Sequence, residues 1–187
     1  MMGDIGMNCV LFNELSGEEI FFKHLSTDDV EQIHEFTSDK DVNRFIGWGL
    51  MNTIEQTYSH IESMIAREKE GTHLYASVVL KSENIVIGTV MLFNFDNTKS
   101  VAEIGFVFNK KYWGKGYGTK SVSLVSNFAF ESLNLHTLKA RVTDTNIGSI
   151  KILEKNGYQF MDRLINEELI DNKHFDLLLF DMTNPKY

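Results

Sequence analysis

The sequence of 187 residues contains a single cysteine, Cys9, and a single proline. One thiol cannot form an internal disulfide, and this composition is typical of the reducing interior of a cell, so we expect a cytoplasmic protein. The scarcity of proline and of low-complexity runs argues against linkers between domains. We therefore predict one domain over residues 20–187, preceded by a short lead-in over residues 1–19.

Long apolar segments are also missing from the sequence. No run approaches the ~20 apolar residues that a membrane-spanning helix requires, and the first residues lack the basic and apolar regions of a signal peptide. These absences predict a protein that has no membrane partner. The six histidines show none of the spacings typical of metal ligands, so we also expect no metal site.

Basic residues are outnumbered, because 18 Lys and Arg face 26 Asp and Glu, which gives a net charge of −8. The sequence has no basic patch with interleaved aromatic residues, and this disfavours a nucleic-acid partner. The acidic balance either only keeps the chain soluble or attracts cationic amines. Since 43% of the residues are hydrophobic, the chain is able to bury a core of ordinary size.

A glycine-rich loop is the most informative feature of the sequence. The stretch Val101 to Phe108 is rich in β-branched and aromatic residues and predicts a strand. The stretch Ser121 to Leu133 places apolar residues at helical spacing. The loop Trp113 to Thr119 lies between them, so its glycines fall where a strand turns into a helix. Backbone N–H groups at a helix N-terminus bind anions such as phosphates.

Two general phosphate-binding motifs fit this loop poorly. In a P-loop, the lysine is followed by Ser or Thr, whereas Lys115 is followed by Gly116. A dinucleotide-binding loop has the spacing Gly-x-Gly-x-x-Gly, whereas here Gly114 and Gly116 are followed by Gly118. Asp144 stands where such a domain has its ribose-binding acid. However, only about forty residues follow it, too few for the second half of that domain.

The loop resembles the Gln/Arg-x-x-Gly-x-Gly/Ala motif of the GNAT superfamily of acyl-CoA-dependent N-acetyltransferases, with Trp113 in place of Gln or Arg. Its form, Trp-Gly-Lys-Gly-Tyr, is similar to that of the RimJ/RimL-like branch, the ribosomal-protein N-terminal acetyltransferases. Further segments resemble the family at Thr37 to Trp48, Ala102 to Phe106 and Asn146 to Tyr158. The resemblance extends from Ile20 to Met182.

This resemblance implies an α+β fold, in which a mixed, mostly antiparallel central sheet is flanked by helices and splays near its middle strands. The periodicity of the sequence predicts the order β-α-α-β-β-β-α-β-α-β-β. One helix is predicted to begin with a capping box at Thr53 to Gln56. The last two strands are predicted at Tyr158 to Asp162 and at Phe175 to Met182.

The resemblance also implies that acetyl-CoA is a cosubstrate. Its pyrophosphate would lie on the loop, and its thioester carbonyl would be polarised by a backbone N–H of the preceding strand. The side chain of Asn146 would contact the pantetheine arm, or it would only cap its own helix. The implied cofactor-binding residues are Phe106, Val107, Phe108, Trp113, Gly114, Lys115, Gly116, Tyr117, Gly118, Thr119 and Asn146.

Glu103 is the only acid in its strand, and it matches the family's general base; the alternative is a structural ion pair. Leu153 replaces the tyrosine that serves many relatives as general acid, so Ser149 is the expected acid. Alternatively, the Ser149 hydroxyl only bonds its helix backbone. Trp48, between two glycines, either packs in the core or lines the pocket for the acceptor.

The predicted function is acetyl transfer from acetyl-CoA to a primary amine, either a protein N-terminus or a small amine, by a monomer or homodimer. The alternative is a CoA-binding sensor or interaction module without turnover. A cationic acceptor is expected, because four late acids lie between the last two predicted strands, which border the acceptor cleft by resemblance. These acids are Asp162, Glu167, Glu168 and Asp171.

Overall fold

The computed structural model describes residues 5–46, 48–96, 98, 100–170 and 172–187. Within them, seven strands form one sheet in the order β1-β2-β3-β4-β5-β7-β6. The strands are β1 (Ile20–Lys23), β2 (Leu74–Leu80), β3 (Ile85–Asp96), β4 (Val101–Phe108), β5 (Thr137–Thr143), β6 (Gln159–Ile170) and β7 (Lys173–Thr183). The helices are α1 (Ile5–Asn13), α2 (Val30–Thr37), α3 (Lys40–Asn43), α4 (Ile54–Lys69), α5 (Tyr117–Glu131) and α6 (Ile147–Lys155).

The helices cover both faces of the sheet and bury two hydrophobic clusters. The larger cluster lies between the sheet and helices α1, α5 and α6, and includes Phe12, Val125 and Leu153. The smaller cluster lies under helices α2 and α4 on the other face, and includes Phe36 and Ile61. This layered architecture confirms the predicted α+β fold with a mixed sheet.

Helix α4 begins where the sequence predicts it to begin. Thr53 Oγ1 accepts a hydrogen bond from the Gln56 N–H at 3.4 Å, and Gln56 Oε1 accepts one from the Thr53 N–H at 3.3 Å. Two backbone donors that the helix leaves without partners are thereby satisfied, so the predicted capping box is confirmed.

The sheet divides between β4 and β5, the one parallel pair of neighbouring strands in the described sheet. These two strands pair only at their beginnings, over Val101↔Thr137, Ala102↔Leu138 and Glu103↔Lys139. Beyond Glu103 no register pair joins them within the described residues, so the strands diverge towards their C-terminal ends. We refer to the space between Glu103–Phe108 of β4 and Lys139–Thr143 of β5 as the gap. It is the splay that the resemblance predicts.

Helix α1 lies inside the segment that was expected to be a lead-in. Its Phe12 is fully buried and packs against Phe22 of β1 and Phe128 of α5, at ring-centroid distances of 5.8 and 5.3 Å. Helix α1 carries no acidic residue in its first turn and no basic residue in its last turn. It therefore lacks the charges in its first and last turns that help to reveal a helix in a sequence.

The last two strands are longer than predicted, because β6 continues to Ile170 and β7 begins at Lys173. Glu167 and Glu168 therefore lie on the outer strand β6, whereas the sequence predicted them in a connection between strands. Asp162, the last residue of the predicted strand, lies inside β6. The prediction for Asp171 falls outside the described residues, as does Gly47, one of the two glycines beside Trp48. Within the described chain, no helix is long and apolar enough to cross a membrane.

Candidate functional site

The N-terminus of α5 offers free backbone donors at the wide end of the gap. Gly116 is the N-cap, and no side chain within the described residues caps this end of the helix. The first helical bond runs from the Lys120 N–H to the Gly116 carbonyl at 3.1 Å. The amides of Tyr117, Gly118 and Thr119 therefore precede the helical ladder and are free to bind an anion.

The glycines of this loop are required for different physical reasons. Gly114 and Gly116 have φ angles of +74° and +88°, and a Cβ at either position would meet no atom within 4 Å. Their backbone conformation therefore favours glycine, whatever the space around them. Gly118 has ordinary backbone angles, but a Cβ there would lie 2.6 Å from Ile152 Cδ1 of α6. Its bare backbone permits close packing of α5 on α6, a role that the sequence analysis did not predict.

Trp113 ties the loop to the end of β4, since its Nε1 donates a hydrogen bond to the Phe108 carbonyl at 2.8 Å. The indole is otherwise half-exposed. The Lys115 ammonium lies over the ring of Tyr112, 5.0 Å from its centroid. Lys115 is therefore positioned by a cation–π contact at the loop surface.

The backbone of β4 aims two N–H groups into the gap. The Asn109 N–H donates to Ile87 of β3 at 2.8 Å, and in an antiparallel ladder alternate residues direct their polar groups to the same neighbour. Val107 therefore points its N–H towards β3, whereas Phe106 and Phe108 point theirs towards the gap. Of the three amides expected to polarise a carbonyl, these two have the required direction.

Glu103 is held by an ion pair on the face of the sheet opposite α5. Its Oε2 accepts a hydrogen bond from Arg141 Nε of β5 at 3.1 Å, and its side chain is 18% exposed. Glu103 thus lies at the narrow end of the gap, in the last residue pair that joins β4 to β5. The structural ion pair was one of the two roles predicted for Glu103. Because the Glu103 carboxylate is still partly exposed, it can also accept a proton as a general base.

Asn146, Ser149 and Leu153 lie together on α6, which begins directly after β5. Asn146 Oδ1 accepts a hydrogen bond from the Ser149 N–H at 3.2 Å, so Asn146 is the N-cap of this helix. Leu153 is buried in the larger cluster. The Ser149 hydroxyl is half-buried and makes no hydrogen bond to any described residue, so the predicted bond to its own helix backbone is not formed.

A small apolar cavity of about 40 Å³ lies beside β4, on the face of the sheet that α2 and α4 cover. Trp48 lines it together with Tyr75, Met91 and the β4 residues from Gly105 to Val107. The ring of His60 lies 4.7 Å from that of Trp48. Burial, with a smaller contribution from the Arg67 charge, lowers the pKa of His60, so its imidazole is neutral at pH 7. Trp48 therefore both packs on the smaller cluster and lines a cavity beside β4.

Two neighbours of the site were not predicted from the sequence. Arg141 reaches Glu103 only because β5 lies beside β4, a pairing between strands more than thirty residues apart. His60 adjoins Trp48 only through the packing of α4. The signal in the sequence was the alternation of charged Lys139 and Arg141 with apolar residues along β5, which indicates that one side of that strand faces solvent.

Comparisons with known proteins agree with this geometry. Residues 19–159 match the family model described as the acetyltransferase (GNAT) domain. An uncharacterized N-acetyltransferase p20 from Bacillus licheniformis is 25% identical over 170 residues, which cover 91% of this chain and 96% of the relative. A GNAT-family acetyltransferase structure from Bacillus anthracis superposes with a TM-score of 0.80 at 26% identity, covering 91% of this chain and 98% of that chain.

A third comparison concerns the predicted branch. The structure of RimL, a ribosomal L7/L12 α-N-protein acetyltransferase in complex with coenzyme A, superposes with a TM-score of 0.81, covering 89% of this chain and 95% of that chain. Its identity is only 13%, so this likeness shows the fold. The chain therefore belongs to the GNAT acetyltransferase family and is an N-acetyltransferase, and its structural neighbours include RimL.

Proposed function

We propose that the protein transfers the acetyl group of acetyl-CoA to a primary amine, with Glu103 as the general base and Ser149 as the general acid. The observation that carries the proposal is the arrangement around the gap. The uncapped N-terminus of α5 and the start of α6 border its wide end, and two β4 amides point into it. The free amides of α5 fit a pyrophosphate.

The chemistry follows from these positions. A lysine-like amine with a pKa near ~10.4 costs roughly 4–5 kcal/mol to deprotonate at pH 7, and a peptide α-amine with a pKa near ~8 costs roughly 1 kcal/mol. Glu103 takes this proton, through a water where the distance requires it. The neutral amine attacks the thioester carbonyl, while the amides of Phe106 and Phe108 stabilise the negative charge that develops on its oxygen. The C–S bond then breaks, and Ser149 gives its proton to the leaving thiolate. The Ser149 oxygen recovers a proton from the positively charged nitrogen of the new amide, directly or through water.

The acceptor enters, in this proposal, beside Gly105 to Val107, where Trp48 lines the apolar cavity. An apolar environment disfavours the charged form of an amine and so lowers the cost of deprotonation. The neutral His60 adds no charge that would repel an ammonium group. We therefore infer that the acceptor is a primary amine carried next to an apolar group, as in the N-terminal residue of a peptide.

Thiol release from acetyl-CoA tests this function with a panel of a neutral α-amine peptide, a basic peptide and a polyamine. Mass spectrometry should show one acetyl group added to each accepted amine, and one free thiol should be released for each group transferred. Acetyl-CoA binding with no transfer to any amine would favour the CoA-binding module.

The same panel tests the expected cationic acceptor. Raising salt from 0.1 to 1 M shortens the Debye length from about 10 to about 3 Å, so the initial rates with the basic peptide and the polyamine should fall. A preference for the neutral peptide without salt dependence would contradict a cationic acceptor.

Replacing Ser149 with Ala removes the proposed proton donor and leaves the Asn146 cap in place, because that cap uses the Ser149 backbone. We expect turnover to fall by about tenfold with little change in acetyl-CoA affinity, since a positioned acid supplies about 10²–10⁴ in rate and water replaces part of it. Steady-state kinetics and calorimetry measure the two quantities. A loss of less than about threefold in turnover would reduce Ser149 to a structural residue.

A further inference from the structure

Three potential metal ligands from distant parts of the chain meet at the end of strand β1. Cys9 lies on α1, His24 directly follows β1, and Glu68 lies in the last turn of α4. One ligand atom from each residue lies within 4.8 Å of the other two, and Cys9 Sγ is 3.9 Å from His24 Nδ1. Ligand atoms around a tetrahedral zinc ion stand about 3.3–3.8 Å apart, because the metal–ligand bonds are about 2.0–2.3 Å long, so the three side chains would draw together by up to about 1 Å on binding the ion.

Neighbouring groups hold two of these ligands in place. Glu68 Oε1 accepts a hydrogen bond from the Tyr75 N–H at 2.9 Å. Asn13, which is buried, donates through Nδ2 to the Cys9 carbonyl at 3.0 Å and lies 3.6 Å from Cys9 Sγ. Hydrogen bonds of this kind orient the ligands in metal sites and support a thiolate or a carboxylate that binds the ion.

The ligand set and its exposure indicate the kind of ion. A thiolate, an imidazole and a carboxylate form a mixed sulfur, nitrogen and oxygen set that zinc accepts and that Ca²⁺ and Mg²⁺ do not favour. When the metal displaces the Cys9 proton, the thiolate and the carboxylate carry two negative charges, which a divalent cation neutralises. His24 is exposed, so water has access to a fourth position.

We propose that Cys9, His24 and Glu68 form a binding site for one divalent transition-metal ion of the zinc class, with water as the fourth ligand. The bound ion joins the N-terminal helix α1 to the end of β1 and to α4. Phe12 otherwise holds α1 through its apolar contacts with Phe22 and Phe128. The site lies apart from the gap and requires no role in acetyl transfer.

Titration of the full-length protein with Zn²⁺ and Co²⁺, after chelator treatment, tests the proposal. We expect one equivalent of Zn²⁺ to bind and to raise the midpoint of thermal unfolding. Co²⁺ should give a thiolate-to-cobalt charge-transfer band and the visible absorption of a four-coordinate ion. Cys9→Ser should abolish the charge-transfer band, and His24→Gln and Glu68→Gln should each weaken Zn²⁺ binding by more than tenfold.

Matched variants separate this site from binding elsewhere. Glu70→Gln removes an exposed carboxylate two residues beyond Glu68, and His174→Gln removes an exposed imidazole on β7; both should bind Zn²⁺ as the unchanged protein does. Circular dichroism in the absence of metal shows whether each variant is folded. The proposal fails if the unchanged protein takes up no stoichiometric ion. It also fails if a folded Cys9→Ser variant retains the charge-transfer band, or if the control variants lose binding equally.

Discussion

Replacing Glu103 with Gln should lower turnover roughly 10²-fold and leave acetyl-CoA affinity nearly unchanged. The amide keeps the shape of the side chain but cannot take a proton from the amine, and a positioned base contributes about 10²–10⁴ in rate. Glu103 lies on the face of the sheet opposite α5, whereas the free amides belong to α5, so the substitution leaves the proposed cofactor contacts in place. Initial rates across pH 6–9 and calorimetry with acetyl-CoA measure the two effects.

The sheet supplies a matched control for this variant. Asp181 of β7 is also an ion-paired carboxylate, 3.1 Å from Lys139 of β5. Asp181→Asn removes one carboxylate and one ion pair, as Glu103→Gln does, without touching the proposed base. Its turnover should stay within about twofold of the original. Equal losses in the two variants would attribute the effect of Glu103→Gln to the sheet, and normal turnover in Glu103→Gln would place the base elsewhere.

Replacing Gly116 with Val should weaken acetyl-CoA binding tenfold or more, which corresponds to about 1.4 kcal/mol. A β-branched residue strongly disfavours the φ of +88°. The loop would therefore leave its present conformation, and the amides that begin α5 would lose their common direction. Calorimetry with acetyl-CoA measures the affinity, and denaturant unfolding measures the stability.

Gly71 provides the same strain away from the loop, because it follows α4, which packs on the other face of the sheet from α5. Its φ is +73°. Gly71→Val should therefore lower the free energy of unfolding by an amount similar to Gly116→Val, about 1–2 kcal/mol for one residue in the left-handed region. Only the Gly116 variant should lose affinity for acetyl-CoA. If both variants lose it, the effect is general destabilisation, and if neither does, the loop does not bind the cofactor.

Local signals in the sequence were sufficient for most of the fold. The capping box at Thr53 marks the start of α4 within one residue, and strand β4 has the predicted bounds because most of its residues, including those at both ends, are β-branched or aromatic. The extension of β6 was missed, because Arg163 and Asn166 to Glu168 interrupt any apolar pattern there. That strand is held by pairing with β7, and strand pairing is a property of distant segments.

The candidate site was predictable where a short motif carries it, and not where tertiary packing does. The position of the loop and of Glu103 followed from the resemblance. The Arg141 partner of Glu103, the Ile152 contact of Gly118 and the meeting of Cys9 with His24 depend on which elements lie side by side. No spacing in the sequence contains that information, since each pair joins different helices or strands.

The division of the sheet has a consequence for motion. Beyond Glu103, no register pair joins β4 to β5 in the part of the chain that the structure describes, and side chains of the larger cluster, such as Ile104 and Ala140, hold the two halves together. Widening the gap would therefore break no hydrogen bond of the sheet ladder. It would shift apolar side chains and stretch the ion pair between Glu103 and Arg141, which crosses the gap. The apolar contacts are non-directional. A bulky product could leave through such breathing while both halves of the sheet keep their backbone pairing.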